Sequence, residues 1–133
     1  MMKLRKIRSD DRGAAVIEMA IALPVLVVFI YGIFVIGQLF QASAGMQHAL
    51  GEAARLATIY PTPTDTDIKA RMAAKKFGTA SGTLGQLQVA DGGGGGSPAY
   101  KDLSLTYSQP TDFLLFAGPQ VTLTRTKRVY LAT

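Results

Sequence analysis

Few side chains in this sequence are of a type and spacing that could carry out chemistry. His48 is the only histidine, cysteine is absent, and no metal-binding His-Glu motif, nucleophile motif or phosphate-binding loop occurs. The carboxylates after residue 13 are scattered along the chain: Glu18, Glu52, Asp65, Asp67, Asp91, Asp102 and Asp112. They form no acid and base pair. We therefore predict that the protein is not an enzyme, and that it uses no metal and no cofactor.

One carboxylate stands out because of its position. Glu18 lies five residues after Gly13, at the start of an apolar run that carries no formal charge from Met19 to Phe40. A helix over this run is roughly 33 Å long, enough to cross the hydrocarbon core of a bilayer. An ionisable group inside a membrane span usually has a partner or a function, whereas near the interface its head group reaches water. Both interpretations fit the position of Glu18.

The net charge of +5 is concentrated at the N-terminus. Residues 1–13 form a basic leader with a net charge of +3, from Lys3, Arg5, Lys6, Arg8 and Arg12 against Asp10 and Asp11. Lys and Arg beside a membrane span mark its cytoplasmic side, so we expect a cytoplasmic N-terminus and an extracytoplasmic C-terminal part. Because the charge excess elsewhere is small, nucleic acid is not an expected partner.

Hydrophobic periodicity predicts the elements that position Glu18. A transmembrane helix over residues 14–40 continues without a break as an amphipathic helix to about Tyr60, where Pro61 and Pro63 end it. Pro24 removes one backbone donor inside the span and predicts a local kink. The apolar stripe of the second half consists of Met46, Leu50, Ala53 or Ala54, and Ala57.

Residues 41–133 are expected to form a small extracytoplasmic domain. A second helix is predicted over about Asp65–Phe77, with Gly78 as its C-cap. Its inward face would consist of Ile68, Met72, Ala73 and Phe77. This helix offers the domain a second apolar surface beside the amphipathic half of the first helix.

Alternating apolar residues predict strands near 100–107 and 121–131, and a first strand near 84–89, with a Gly-rich loop at residues 92–96. The predicted fold class is therefore α+β. It consists of a long N-terminal transmembrane helix continuing as an amphipathic helix, a short second helix, and a small antiparallel sheet of two to three strands packed on it.

The stretch Arg12-Gly13-Ala14-Ala15-Val16-Ile17-Glu18 resembles the processing site of type IV-like prepilins. With Met19, Ala20 and Leu23-Pro24, it is similar more narrowly to the TadE/TadG-like proteins of the tight-adherence (Tad/Flp) pilus machinery, which are pseudopilins or minor pilins. The close likeness covers about residues 10–40, with a looser one from Tyr107 to Pro119. Met19 stands where family members usually carry Phe or Tyr.

This resemblance implies that a prepilin peptidase cuts between Gly13 and Ala14, and that Glu18, Met19 and Pro24 belong to the motif for processing and subunit pairing. It implies a single-pass pseudopilin or minor pilin of the bacterial inner membrane. Such a protein acts in pilus assembly or initiation by helix–helix packing, in the membrane or in the surface pilus. The implied partners are the prepilin peptidase, other pilins and pseudopilins, the inner-membrane pilus assembly platform and membrane lipid.

Two other interpretations stay open on sequence grounds. In the first, the chain is an uncleaved single-pass membrane anchor whose extracytoplasmic domain binds a partner in the assembly platform. In the second, signal peptidase cuts near Ala44, in the cluster Ala42-Ser43-Ala44, and frees a small exported ligand-binding or enzymatic domain. A cleavable signal usually has an apolar core of roughly 7–15 residues, which is shorter than the run found here.

Overall fold

The computed structural model of the chain describes residues 11–59, 61, 63–93, 99–113 and 116–131. The described residues form helices α1 (Asp11–Ala57) and α2 (Asp65–Lys75) and the strands β1 (Thr83–Leu84), β2 (Gln88–Gly92), β3 (Tyr100–Gln109), β4 (Asp112–Phe113), β5 (Phe116–Ala117) and β6 (Val121–Tyr130). This architecture confirms the predicted α+β class. Most of the basic leader, part of the predicted Gly-rich loop and the predicted helix end at Tyr60 lie outside the described residues.

Helix α1 is one rod of 47 residues, about 70 Å long. It runs without interruption through Pro24 and past Phe40, as predicted for a membrane helix that continues into an amphipathic one. The predicted apolar stripe of its second half is buried, with Met46, Leu50, Ala53, Ala54 and Ala57 each at most 5% exposed. The small side chains in this stripe let the rest of the domain approach the helix closely.

Helix α2 begins with a capping box. The Thr64 hydroxyl accepts a hydrogen bond from the backbone N–H of Asp67 at 3.2 Å, and the Asp67 carboxylate accepts one from the backbone N–H of Thr64 at 3.2 Å. This arrangement satisfies two donors at the helix start. Ile68 and Met72 are buried against the core, as predicted.

The end of α2 differs from the prediction. Ala73 and Phe77 are exposed, so their assignment to the inward face is wrong. The helix ends at Lys75 with an extended C-cap at Lys76, so Gly78 is not the C-cap. Gly78 instead has φ +67° and passes so close to Gln41 of α1 that a Cβ would lie 2.7 Å from the Gln41 Cγ. The helix stops early because the chain must turn and cross α1 here.

The main sheet is built around β3. Strand β6 pairs antiparallel with its whole length, from Tyr100 opposite Tyr130 to Gln109 opposite Val121. Strands β1 and β2 also pair with β3, at residues 107–108 and 100–104 respectively. Since β6 takes one side of β3, β1 and β2 lie in line on the other side as one interrupted strand. The four strands thus occupy three positions across the sheet, where two to three strands were predicted.

Strand β3 alternates between the core and the solvent. Its buried residues are Lys101, Leu103, Leu105, Tyr107 and Gln109. Of these, Leu103, Leu105 and Tyr107 pack with Leu87, Val129, Ile68 and Met72 against the apolar stripe of α1. The opposite face of the β3–β6 pair carries Ser and Thr side chains that meet across the strands, as in Ser104 with Thr126. One sheet face therefore covers the helix, and the other faces solvent.

Candidate functional site along the N-terminal helix

The residues of the predicted processing motif lie in the first turns of α1. Gly13, Ala14, Glu18 and Met19 are all helical, and the last three are exposed. Ala14 and Glu18 are four residues apart, so they share one face of the helix. Pro24 is also exposed, inside the same helix.

The peptide bond between Gly13 and Ala14 lies in helical backbone, shortly after α1 begins at Asp11. A protease that binds extended backbone must unwind this first turn to reach the bond. Glycine lowers the cost of that step, because its helix propensity is about 1 kcal/mol less favourable than that of alanine. The helical backbone at Gly13 is thus easier to unwind than it would be with alanine at this position.

Beyond Glu18, α1 is an apolar rod that the chain itself does not cover. From Ala14 to Ile30 no side chain is buried. An 18-residue stretch of the helix has a mean hydropathy of 2.8 with only 6% of it buried, which differs from the core helix of a soluble domain. By length and composition, one helix of the described residues fits a single-pass membrane anchor.

An open apolar groove lies along this rod, beginning one residue after Glu18. Its volume is about 480 Å³, and its lining consists of Met19, Ala22, Leu23, Val25, Leu26 and Phe29. None of these side chains is charged. The groove therefore suits an acyl chain or the apolar face of another helix rather than a polar ligand.

The folded domain also contacts α1 on the N-terminal side of the helix's amphipathic half. The Tyr31 and Phe113 rings lie edge to face with centroids 6.3 Å apart, and Val35 is 6% exposed. The Gln109 side-chain amide donates to the Gln38 oxygen at 2.9 Å. Tyr31, Val35 and Gln38 thus belong to the domain's packing surface, although they fall inside the predicted membrane span.

A buried polar network fixes the domain to α1 at Gln38. The Tyr107 hydroxyl donates to the Gln109 side-chain oxygen at 2.9 Å, so Gln109 is bonded on both sides. Burial raises the pKa of the Tyr107 hydroxyl. Sequence analysis missed this network, although Gln109 continues the alternation that buries Leu103 and Leu105. The alternation of buried residues along β3 was therefore the sequence signal that could have identified Gln109 as buried.

A second polar cluster joins three elements around Lys101. The Lys101 ammonium donates to Asp65 of α2 at 2.8 Å and to Asp91 of β2 at 2.6 Å, and its side chain is only 8% exposed. Burial by itself lowers the pKa of Lys101, but the hydrogen bonds that its ammonium donates to the two carboxylates outweigh burial and raise the pKa. The cluster is a structural ion pair rather than a pair of carboxylates arranged for proton transfer.

A further ion pair, between Arg128 and Asp102, joins β6 to β3. Arg128 donates two hydrogen bonds of 2.8 Å to Asp102 and lies over the Tyr100 ring at 4.1 Å. The hydrogen bonds lower the pKa of Asp102. Across the part of the chain that the structure describes, no group of three His, Asp or Glu side chains is placed to hold a metal ion. His48 lies against the Phe77 ring, with centroids 5.6 Å apart.

The chain was compared with known families, curated proteins and solved structures. Residues 13–55 match the model of the TadE-like protein family. The match begins at Gly13, includes Glu18 and Pro24, and extends through most of the amphipathic half of α1. No curated protein and no solved structure matches the chain significantly.

The matched range confirms the resemblance predicted from the sequence. It includes the exposed apolar rod and most of the surface on which the domain packs. The TadE-like family implies a structural, minor-pilin role related to the Tad pilus. Over residues 13–55, the long N-terminal helix of this chain is thus similar to that of TadE-like proteins.

Proposed function

We propose that this chain is a pseudopilin or minor pilin of a Tad-type pilus, which a prepilin peptidase cuts after Gly13 and which acts in assembly or initiation by helix–helix packing. The observation that carries the proposal is the uncovered apolar rod with one carboxylate, Glu18, near its start, inside a range that matches the TadE-like family. The domain leaves this rod free for other helices.

Cleavage after Gly13 creates a new amine on Ala14, on the same face of α1 as Glu18. In a bundle of similar rods, the Glu18 carboxylate pairs with the new amine of a neighbouring subunit. Either charge left alone among apolar helices costs several kcal/mol, so the pair sets the register between subunits. The exposure of Glu18 supports this role, because nothing in the described part of the chain satisfies its carboxylate.

The outer half of α1 also supports packing against other pilins. Beyond the apolar rod, exposed positions of α1 recur at three- and four-residue steps and include Ile33, Ile36 and Phe40, and then Ala44. Of these, Ile36 and Phe40 line a cleft with Leu123 and Arg125 of β6. Phe40 is 73% exposed. It lies roughly 40 Å along the helix from Ala14, beyond the hydrocarbon core of a bilayer that begins there. An aromatic side chain at that height favours a protein neighbour over lipid.

The proposed setting is the bacterial inner membrane. The basic leader, residues 1–13, places the N-terminus in the cytoplasm and the domain outside it. The prepilin peptidase then meets its bond at the cytoplasmic face. Membrane lipid, the assembly platform and other pilins are the further partners.

Processing is tested by expressing the chain in cells that contain the peptidase and determining its N-terminal residue by mass spectrometry. We expect the wild type to begin at Ala14 and Gly13→Ala to keep residues 1–13. The matched control is Gly37→Ala, because a Cβ at Gly37 meets no atom within 4 Å and should leave cleavage unchanged. Wild-type protein that begins at Met1 in such cells contradicts the processing step and favours the uncleaved anchor.

Pairing is tested separately with Glu18→Ala and Glu18→Gln. Both remove the charge, and the second keeps the side-chain size. We expect both variants to be processed at Gly13 and to lose co-purification with the other pilins of the system after crosslinking in membranes. Retained co-purification with both variants contradicts the pairing role of Glu18.

A further inference from the structure

We propose that the β4–β5 hairpin (Asp112–Phe113 and Phe116–Ala117) is an aromatic foot that rests in the lipid head-group region of the membrane face from which the domain emerges. The inference rests on the membrane anchoring of α1 in the proposed function. It adds a second, peripheral contact between the domain and the bilayer, made by Phe113 and Phe116.

The height of the hairpin along α1 is the first argument. The uncovered rod from Ala14 to Ile30 has 17 residues, which is roughly 26 Å of helix. The hydrocarbon core needs about 20 residues, so a span that begins at Ala14 ends near Ile33. The Phe113 ring contacts α1 at this level. Its centroid lies 6.3 Å from that of the Tyr31 ring, and a Cβ at Gly32 would lie 3.7 Å from the Phe113 Cε1.

The chemistry of the hairpin is the second argument. The Phe116 ring stacks on Phe113 with centroids 4.9 Å apart and remains 55% exposed. The flanking Asp112 is exposed. An exposed Phe ring at the level where a span leaves the hydrocarbon can enter the boundary between head groups and acyl chains, while the charged Asp112 stays among the head groups.

The hairpin is also held firmly to the domain. Thr111 is 6% exposed and its hydroxyl donates to the Pro119 carbonyl on the returning chain. Gly118 lies where a Cβ would overlap the Thr111 carbonyl oxygen and come within 2.9 Å of the Phe113 ring. Because the hairpin, the domain and α1 form one packed unit, a foot on the membrane fixes the tilt of the domain above it.

A second copy of the chain is the other occupant for an exposed Phe116. The observations favour lipid, because a single anchored chain already brings this ring to the bilayer edge without a neighbour. The test must therefore be made on one chain per bilayer disc. The chain contains no tryptophan and no cysteine, so single reporters can be introduced at chosen sites.

The experiment places Phe116→Trp in the full chain, reconstituted at one chain per lipid nanodisc. We expect blue-shifted tryptophan emission and strong loss of fluorescence when the lipids are replaced by lipids brominated near the head group. The control is Tyr130→Trp, an aromatic position that is 69% exposed and lines the same cleft as Thr58 at the far end of the domain. This position should stay unquenched. Emission from Phe116→Trp that matches Tyr130→Trp overturns the proposal.

Phe29→Trp separates this proposal from the proposed function, because Phe29 lies inside the apolar rod. If Phe29→Trp is not quenched, the membrane anchor itself is wrong; if it is quenched and Phe116→Trp is not, only the foot is wrong. A blue shift of Phe116→Trp that appears only at several chains per disc, without quenching by brominated lipid at one chain per disc, assigns the hairpin to a second copy and also overturns the proposal. A spin label at Ala117→Cys, compared with Thr124→Cys on the exposed sheet face, repeats the test without changing either ring.

Discussion

At the scale of single residues, the expected roles of Gly13 and Glu18 depend on partners outside the chain, whereas that of Gly45 depends on another part of the same chain. Gly13 and Glu18 are recognisable from their spacing and from the apolar run that follows. Their roles stay predictions, since processing and pairing need partners. Gly45 could not be recognised in this way. It is a helical glycine whose importance comes only from another part of the chain, because the Phe77 carbonyl lies against its Cα.

Gly45→Ala should therefore destabilise the domain, although alanine favours a helix by about 1 kcal/mol relative to glycine. A Cβ at this position overlaps the Phe77 carbonyl oxygen, so the connection after α2 must move away from α1. We expect a net loss of about 1–3 kcal/mol in the free energy of unfolding. The measurement is urea unfolding of the full chain in mild detergent.

Gly51→Ala is the matched control for that experiment. It lies in the same half of α1, and its Cβ would meet only the Lys127 ammonium at 3.9 Å. The helix propensity gain is the same for both substitutions, so Gly51→Ala should be neutral or slightly stabilising. If the two variants unfold alike, the close approach at Gly45 has no energetic importance.

At the scale of elements, the spacing of hydrophobic residues along the chain predicted most of the helices and strands. The continuous α1, the buried faces of α1 and β3, and the start of α2 at Asp65 all follow from local patterns. The end of α2 does not, because the crossing at Gly78 is imposed by α1. Nor does the partnership of Lys101, Asp65 and Asp91, which come from three elements far apart in sequence. Local patterns do not encode such contacts.

The Lys101 cluster makes a prediction for alkaline pH. The folded state raises the pKa of Lys101, so it holds the proton more tightly than the unfolded chain does. This contribution to stability is complete below the ordinary lysine pKa of about 10.4 and is lost as the pH rises through the higher folded value. In the wild type, the free energy of unfolding should therefore fall more steeply above that pH than in Lys101→Met.

At neutral pH, Lys101→Met should lower the free energy of unfolding by about 1–3 kcal/mol, less than for a fully buried pair because both carboxylates are about half exposed. Lys127→Met is the control, since Lys127 is exposed on β6 and should change stability by no more than about 0.5 kcal/mol. Equal effects of the two substitutions, with the same dependence on pH, contradict a stabilising role for the cluster.

At the scale of the whole molecule, the order of a basic leader, an apolar rod and a small α+β domain was visible in the composition along the chain. The reach of the domain down to Tyr31 was not, because it depends on how β3 and the β4–β5 hairpin lie against α1. The predicted boundary between residues 40 and 41 stays a prediction for the membrane span. The packing surface of the domain extends to the N-terminal side of this boundary, where it includes Val35 and Gln38.

Two shortened chains test how much the lower contacts contribute. A chain that starts at residue 30 keeps Val35 and Gln38, whereas one that starts at residue 41 loses both and leaves the Gln109 amide without its partner. We expect the shorter chain to be less stable by about 2–4 kcal/mol, from one buried Val and one buried hydrogen bond. Both are measured in the same detergent by chemical unfolding.

Equal unfolding of the two shortened chains would mean that the stability of the domain is independent of residues 30–40 of α1.

The fold also bears on release by signal peptidase near Ala42. Ala42 is fully buried inside α1 and belongs to the hydrophobic core. A cut beside it would divide the element on which the sheet packs, so the folded form of the chain argues against that interpretation.

The one-sided covering of α1 has a geometric consequence for any assembly. Above Tyr31 the sheet and α2 occupy one flank of the helix, and the exposed positions form a single stripe on the other flank. Rods that meet through this stripe must direct their domains radially outward, as a sleeve around a central column. The girth of the domains, rather than that of the helices, then sets how many subunits fit around the axis at that height.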